Sequence, residues 1–205
     1  MATHTRADDL RMVREADGLD LDLRPLQGLW SVEQYLRLSD QTNHLIEFTD
    51  GVIEVLPMPT RDHQVILAFL YEVLLLLLRP RGGKVLFAPL RLQVRPGKFR
   101  QPDILALKDM HDPRNQNEYW LGADLVMEIV SPDRPERDIE EKRRDYAEAG
   151  IPEYRIVNPL DETITVLVLE GAAYVEHGVF RRGERAASKL IDGFAVSVDE
   201  VFDAR

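Results

Sequence analysis

The sequence predicts an α/β protein of the mixed-sheet (α+β) kind, with a central mixed β-sheet flanked by helices. Three observations predict it. Short apolar runs rich in Val, Ile and Leu recur between about residues 84 and 130 and again between 153 and 180. A long apolar helical pattern precedes the first group, and a charged amphipathic one separates it from the second. The chain has 205 residues, 44% of them hydrophobic and 30% charged, enough for one globular domain with a sizeable core. Helix, hairpin, helix, strands, helix and strands in that order make a sheet covered on its faces.

Each element has a local reason. Residues 1 to 27 form an N-terminal extension, in which Leu19, Leu21 and Leu23 alternate with Asp20, Asp22 and Arg24. That alternation suits either an edge strand or a loose arm. Ser31 and Gln34 stand at capping-box spacing and open a short helix over 31–38. Asp50-Gly51 sits between two apolar runs in 44–58, the strongest short hairpin signal. A helix runs from about Thr60 to Leu78 and is ended by Pro80 and Gly82-Gly83. Strands follow at about 84–88, 91–95, 102–107 and 123–130. The helix over 136–150 is stopped by Gly150 and Pro152, and strands at 153–159, 163–170 and 172–180 precede a short C-terminal helix. The domain proper spans 28–205.

Composition excludes several classes. Cysteine is absent, so there is neither a disulfide nor a thiolate metal site. No signal-peptide pattern opens the chain, and the most apolar stretch, 65–78, is short of the ~20 residues of a membrane span. A cytoplasmic protein without a membrane segment is the expectation. Charge is uneven. Arg79 to Arg100 holds seven basic residues and no acid, a block of +7 in a chain of net charge −10, leaving −17 for the remainder. Such a block is either a footprint for polyanions or a set of solvated strand positions.

The chemistry lies in acids on apolar strands. Asp103 opens the run Ile104 to Leu107, and Glu128 interrupts Leu125 to Val130. A carboxylate there is poorly solvated unless something offsets its charge. Two such acids at the ends of neighbouring strands can share a cation. Magnesium, which takes oxygen ligands and is held by one or two carboxylates plus substrate phosphates, suits them. The carbonyl of Ile129 would add a third oxygen. Glu47, between Ile46 and Phe48, is a further acid in an apolar setting. Singly, Asp103 also reads as a turn cap and Glu128 as a solvent-facing strand end. On the 136–150 helix, Ile139, Tyr146 and Ala149 share a stripe that Lys142 and Arg143 flank, so either cation can point inward. Glu140, Glu141, Arg144, Asp145 and Glu148 fall further out. His63 shares a face with Leu67, Leu70 and Leu74 and reads as a core or helix-start histidine. HExxH, G-x-S-x-G and P-loop patterns are absent.

The segments "HLIEFTDGVIEVLPMPTRDHQ", "QPDILAL", "ADLVMEIVSPDRPERDIEEKRRDYAEAGIPEYRIVNP" and "LIDGFAVSVDEVF" resemble, in order, the Uma-type family of restriction-endonuclease-like proteins, within the PD-(D/E)xK nuclease superfamily. The resemblance spans about 28–203. It implies a restriction-endonuclease-like core and a site for Mg²⁺ or Mn²⁺, with Glu47, Asp103, Glu128 and Lys142 as site residues. Asp103, Glu128 and Ile129 would hold the metal. The superfamily's usual lysine, two residues after the second acid, is Val130 here, and Lys142 matches the family's lysine on the following helix. The implied activity is metal-dependent endonucleolytic hydrolysis of DNA, duplex DNA in particular. The alternative is a catalytically silent nuclease-fold module that binds nucleic acid or a protein. The alternating arm and the apolar helix point to a homodimer.

Overall fold

The computed structural model describes residues 10–14 and 19–204. Residues 1–9 and 15–18 of the predicted extension, His4 among them, lie outside the described residues. In chain order the elements are β1 (Arg11–Arg14), β2 (Leu19–Asp22), α1 (Val32–Gln41), β3 (Ile46–Thr49), β4 (Val52–Val55), α2 (Arg61–Leu78), β5 (Lys84–Phe87), β6 (Leu92–Arg95), β7 (Lys98–Arg100), β8 (Ile104–Leu107) and β9 (Leu125–Ile129). After one π-helical turn (Arg137–Glu141) come α3 (Lys142–Glu148), β10 (Glu153–Asn158), β11 (Thr163–Glu170), β12 (Ala173–Phe180), β13 (Arg185–Ala187), β14 (Ala195–Ser197) and α4 (Val198–Phe202). They form two compact units, Met1–Met58 with Pro96–Gln101, and Pro59–Arg95 with Pro102–Arg205.

In the first unit, β1 pairs with β2, and β3 pairs with both β4 and β7, all antiparallel. The β3–β4 turn is the predicted one: Asp50 and Gly51 take φ of 47° and 88°, the double positive φ of a type I′ hairpin. A Cβ on Gly51 would stand 2.6 Å from the carbonyl oxygen of Gly28, so close backbone approach also requires glycine here. The predicted capping box is present. Ser31 Oγ accepts from Gln34 N, and Gln34 Oε1 accepts from Ser31 N. Inside, Tyr35 stacks on Phe48 at 5.1 Å between ring centroids and lies 5.4 Å from Phe99.

The second unit is built on a six-stranded sheet of order β12-β11-β10-β9-β8-β5. β9 and β10 are parallel; the other pairs are antiparallel. The sheet is therefore mixed, as predicted, and the parallel pair is joined through α3, because parallel strands need a long crossover. Strand alternation divides the core in two. Leu125, Met127 and Ile129 pack with the α2 side chains Ile66, Leu67, Leu70, Leu74 and Leu78. Val126 and Val130 pack on the opposite face with Tyr146 of α3. Glu128 has the parity of Val126 and Val130, so it belongs to the α3 face.

The α2 helix begins at Thr60, whose Oγ1 caps His63 N at 3.2 Å, and gives way to a 3₁₀ turn at Pro80 and to Gly82 in the left-handed region. Residues Arg61–Arg81 are long and apolar enough to cross a membrane by length and composition alone. In this unit the helix supplies one wall of the core. A buried ion pair, Glu153–Arg155 at 2.8 Å, ties down the segment before β14: the second Glu153 oxygen accepts from Ser188 Oγ, Lys189 N and Leu190 N. Its role is structural.

Three differences from the sequence expectation have physical causes. β7, β13 and β14 have three residues each, too short for a periodicity signal. The helix expected over 136–150 opens as a π turn, with Lys142 N bonding to the carbonyl of Arg137. The extra residue in that turn changes the phase. Asp138, not Ile139, therefore faces in: Asp138 is buried, whereas Ile139 is 38% exposed. Asp145, placed on the outer face by α-periodicity, is buried as well.

Candidate active site

Antiparallel register pairs Ile104 with Met127. Continued by one residue, it sets Asp103 across from Glu128; the Glu128 side chain lies on the face that α3 covers. Asp103 is held by main chain: its Oδ2 accepts from Ile129 N at 2.7 Å, so the side chain takes over an acceptor role at the end of the ladder. The same oxygen meets His63 Nε2 at 3.2 Å. Oδ1 makes no hydrogen bond among the described residues. Asp103 is thus neither an isolated turn cap nor a surface acid; its side chain is 15% exposed.

Glu128 is 2% exposed. Tyr146 donates its hydroxyl to Oε1, and Lys142 Nζ lies 2.8 Å from Oε2. The same ammonium lies 2.9 Å from Asp138 Oδ1. Asp138 is anchored in turn, accepting weakly from Ser131 N at 3.4 Å, while its carbonyl accepts from Tyr154 Oη at 2.6 Å. The structure resolves the choice between cations: Lys142 points in, and Arg143 turns away to donate to the carbonyl of Tyr174 at 2.9 Å. Val130, where the resemblance implied a lysine, is packed in the apolar cluster on the α3 face. Lys142 brings an ammonium to that same face from the helix.

The electrostatics follow. Two carboxylates, Glu128 and Asp138, share the Lys142 ammonium, and Asp103 adds a third charge that acts on Glu128. Burial pushes the Glu128 carboxyl up to about 8; Lys142 pulls it down, and Asp103 and Asp138 push it up again. Burial alone would lower the His63 imidazole. The hydrogen bond to Asp103 and the charges of Asp103 and Asp138 outweigh it, so the ring titrates above its usual value. A divalent cation beside Glu128 would take the place of the proton that burial and the neighbouring carboxylates hold there.

The donor set fits a hard cation in part. Asp103 has a free oxygen, each Glu128 oxygen keeps a second lone pair, and His63 Nδ1 is buried without a partner among the described residues. Among those residues, no group of three or more His, Asp or Glu side chains is arranged to hold an ion unaided. Two carboxylates with the remaining positions left to water and phosphate is the usual magnesium arrangement.

Glu47 lies in the first unit, fully buried. It meets Arg100 Nη1 at 3.3 Å and accepts from Gln101 N at 3.0 Å, anchoring the backbone two residues before Asp103. The basic block is largely committed internally. Arg81 donates to the Asp192 carbonyl, Arg91 to the Glu118 carbonyl, Arg95 to Glu148 at 3.0 Å, and Arg100 pairs with Glu47. Arg79 and Lys84 have no such partner among the described residues. Sequence reasoning missed His63 and Asp138 as site residues. For His63 a signal existed, the Thr60 cap that sets it in the first turn. For Asp138 the α-helical period pointed the wrong way.

A family model described as "Putative restriction endonuclease" (Uma2) matches residues 32–199. A crystal structure from Anabaena variabilis, titled "a putative nuclease belonging to DUF820", superposes with a TM-score of 0.70 at 20% identity, over 85% of this chain and 98% of that one. That likeness establishes the fold. No curated protein matches the chain.

Proposed function

Given that the chain belongs to the Uma2 family, described as "Putative restriction endonuclease", we propose that it is an endonuclease hydrolysing phosphodiester bonds of DNA with Mg²⁺ or Mn²⁺. The observation that carries this reading is the register of adjacent strands that sets Asp103 across from the Lys142-paired Glu128, close enough for its charge to act on it. Asp103, Glu128 and the Ile129 carbonyl would hold the ion, which when bound supplies Lewis acidity and a more acidic water. Tyr146 fixes Glu128. Lys142 places a positive charge beside Glu128, suited to orienting water or offsetting charge on the phosphoryl oxygens. Glu47 acts by anchoring Gln101. A cytoplasmic homodimer belongs to the same reading: Leu76 of α2 is 69% exposed and Phe87 44%, an apolar surface a second copy would cover, and cutting both strands of a duplex favours two sites.

The test is incubation with duplex DNA, and with RNA, in Mg²⁺, Mn²⁺ or EDTA. Metal-dependent cutting of duplex DNA supports the reading. In parallel, Asp103→Asn should leave the melting temperature of the metal-free protein unchanged or raised, and should abolish stabilisation by Mn²⁺. That stabilisation is about 2.7 kcal/mol for wild type at a hundredfold excess over Kd. An undiminished Mn²⁺ effect in Asp103→Asn would place the ion elsewhere.

A silent module is the second reading, favoured by one observation: both Glu128 oxygens already have partners in Tyr146 and Lys142. It predicts DNA or protein binding without cleavage at any metal concentration. The basic block can be tested in either case. Arg79→Glu with Lys84→Glu should weaken DNA binding and flatten its salt dependence, by about 0.9 in log–log slope for each phosphate no longer neutralised. An unaltered slope would make these two residues solvated surface.

A further inference from the structure

The sequence pattern makes His63 a core or helix-start residue, yet its ring is joined to the acid at the centre of the site. We propose that His63 is a positioning residue that fixes the Asp103 carboxylate for cation binding, a role that rests on the metal-dependent reading above. Three observations carry it. His63 Nε2 and Ile129 N both approach one oxygen, Asp103 Oδ2, at 3.2 and 2.7 Å. The other oxygen, Oδ1, is left without a hydrogen bond among the described residues. The His63 and Asp103 side chains are only 16% and 15% exposed, and the His63 main chain is held by the Thr60 cap.

A carboxylate on a strand end has rotational freedom about χ1 and χ2. One donor sets a direction for one oxygen; two donors from different elements, β9 and the first turn of α2, fix its plane. The unbonded oxygen is then presented in a single orientation, so a cation that takes it does not have to order the side chain first. Partners standing behind a metal ligand in this way typically change metal affinity about 10- to 100-fold. With Nε2–H as donor, the neutral ring keeps an acceptor at Nδ1, and that atom is buried without a partner among the described residues. Among those residues the ring therefore hydrogen-bonds to Asp103 alone, which is how a residue acting through another is expected to look.

A merely structural histidine makes a different prediction. His63→Leu and His63→Gln are of similar size, both leave the Thr60 cap on the main chain intact, and only Gln retains a donor near the Nε2 position. By calorimetry, His63→Leu should weaken Mn²⁺ binding about 10- to 100-fold, and His63→Gln should recover most of it. Equal Mn²⁺ affinity for wild type and His63→Leu, or His63→Gln binding as weakly as His63→Leu, overturns the proposal. Failure of the nuclease reading is read separately: DNA left intact by a wild type that still binds Mn²⁺ sinks cleavage but not this role. Should wild type bind no Mn²⁺, both fall. The His63–Asp103 bond itself is then checked in the metal-free protein by ¹⁵N resonances of the His63 ring, which Asp103→Asn must shift.

Discussion

Lys142→Met should lower cleavage about 10²-fold or more, the effect of removing one charge-stabilising group from a reaction centre, while Arg143→Met remains near wild type. The structure adds a second expectation that the sequence did not. The Lys142 ammonium serves Glu128 at 2.8 Å and Asp138 at 2.9 Å, all three side chains being buried. Methionine keeps the length of the stem but leaves two carboxylates without their counter-ion. Breaking a buried pair from one side typically costs about 3–5 kcal/mol. That cost should depend on pH. Glu128, already raised, loses the cation that pulls it down and so takes up a proton more readily, which relieves the repulsion. Denaturation of Lys142→Met at pH 9 should show nearly the full loss, and at pH 6 a smaller one. A pH-independent loss would mean that Lys142 contributes through packing. Equal activity of the Lys142 and Arg143 variants would remove Lys142 from the reaction.

Glu128→Gln should abolish cleavage and Mn²⁺ binding yet make the metal-free protein more stable in alkali. The sign follows from linkage. The Glu128 carboxyl rises from 4.5 to about 8 on folding, so the folded chain holds a proton that the unfolded chain releases. The stability this contributes is complete below about pH 4.5 and is lost as pH rises through about 8. Wild type without metal should therefore weaken between pH 5 and pH 9, by at most about 5 kcal/mol from this group. Glutamine carries no ionisation and still accepts from Tyr146, so its stability should be flatter over that range. Saturating Mn²⁺ should flatten wild type in the same way, because the ion replaces the proton. If wild type and Glu128→Gln share one stability–pH curve, Glu128 is ionised throughout and the raised carboxyl is wrong.

Much of this protein follows from local rules. Asp50-Gly51 adopts a type I′ turn because the residue pair tolerates positive φ wherever it occurs. The Ser31 and Thr60 caps form because a hydroxyl at that position satisfies an orphan N–H within a few residues. The mixed sheet follows from the order of apolar runs and helical periods, and Asp103 and Glu128 stand out as soon as an acid is seen on an apolar strand. These features depend on neighbours within about one turn of chain, so sequence alone determined them.

What depends on distant partners was decided only by the tertiary structure. Whether Lys142 or Arg143 faces inward is open by α-periodicity. One π turn, together with the carboxylates of Glu128 and Asp138, settles it for Lys142. His63 joins the site through Asp103, 40 residues away, and Asp138 enters it because one π turn changes the phase that α-periodicity gives it. The basic block looks free in one dimension, but Arg95 and Arg100 have partners 53 residues away. A buried charge is tolerated only where partners from other elements surround it, and the chain does not name those partners until the strands and helices have packed.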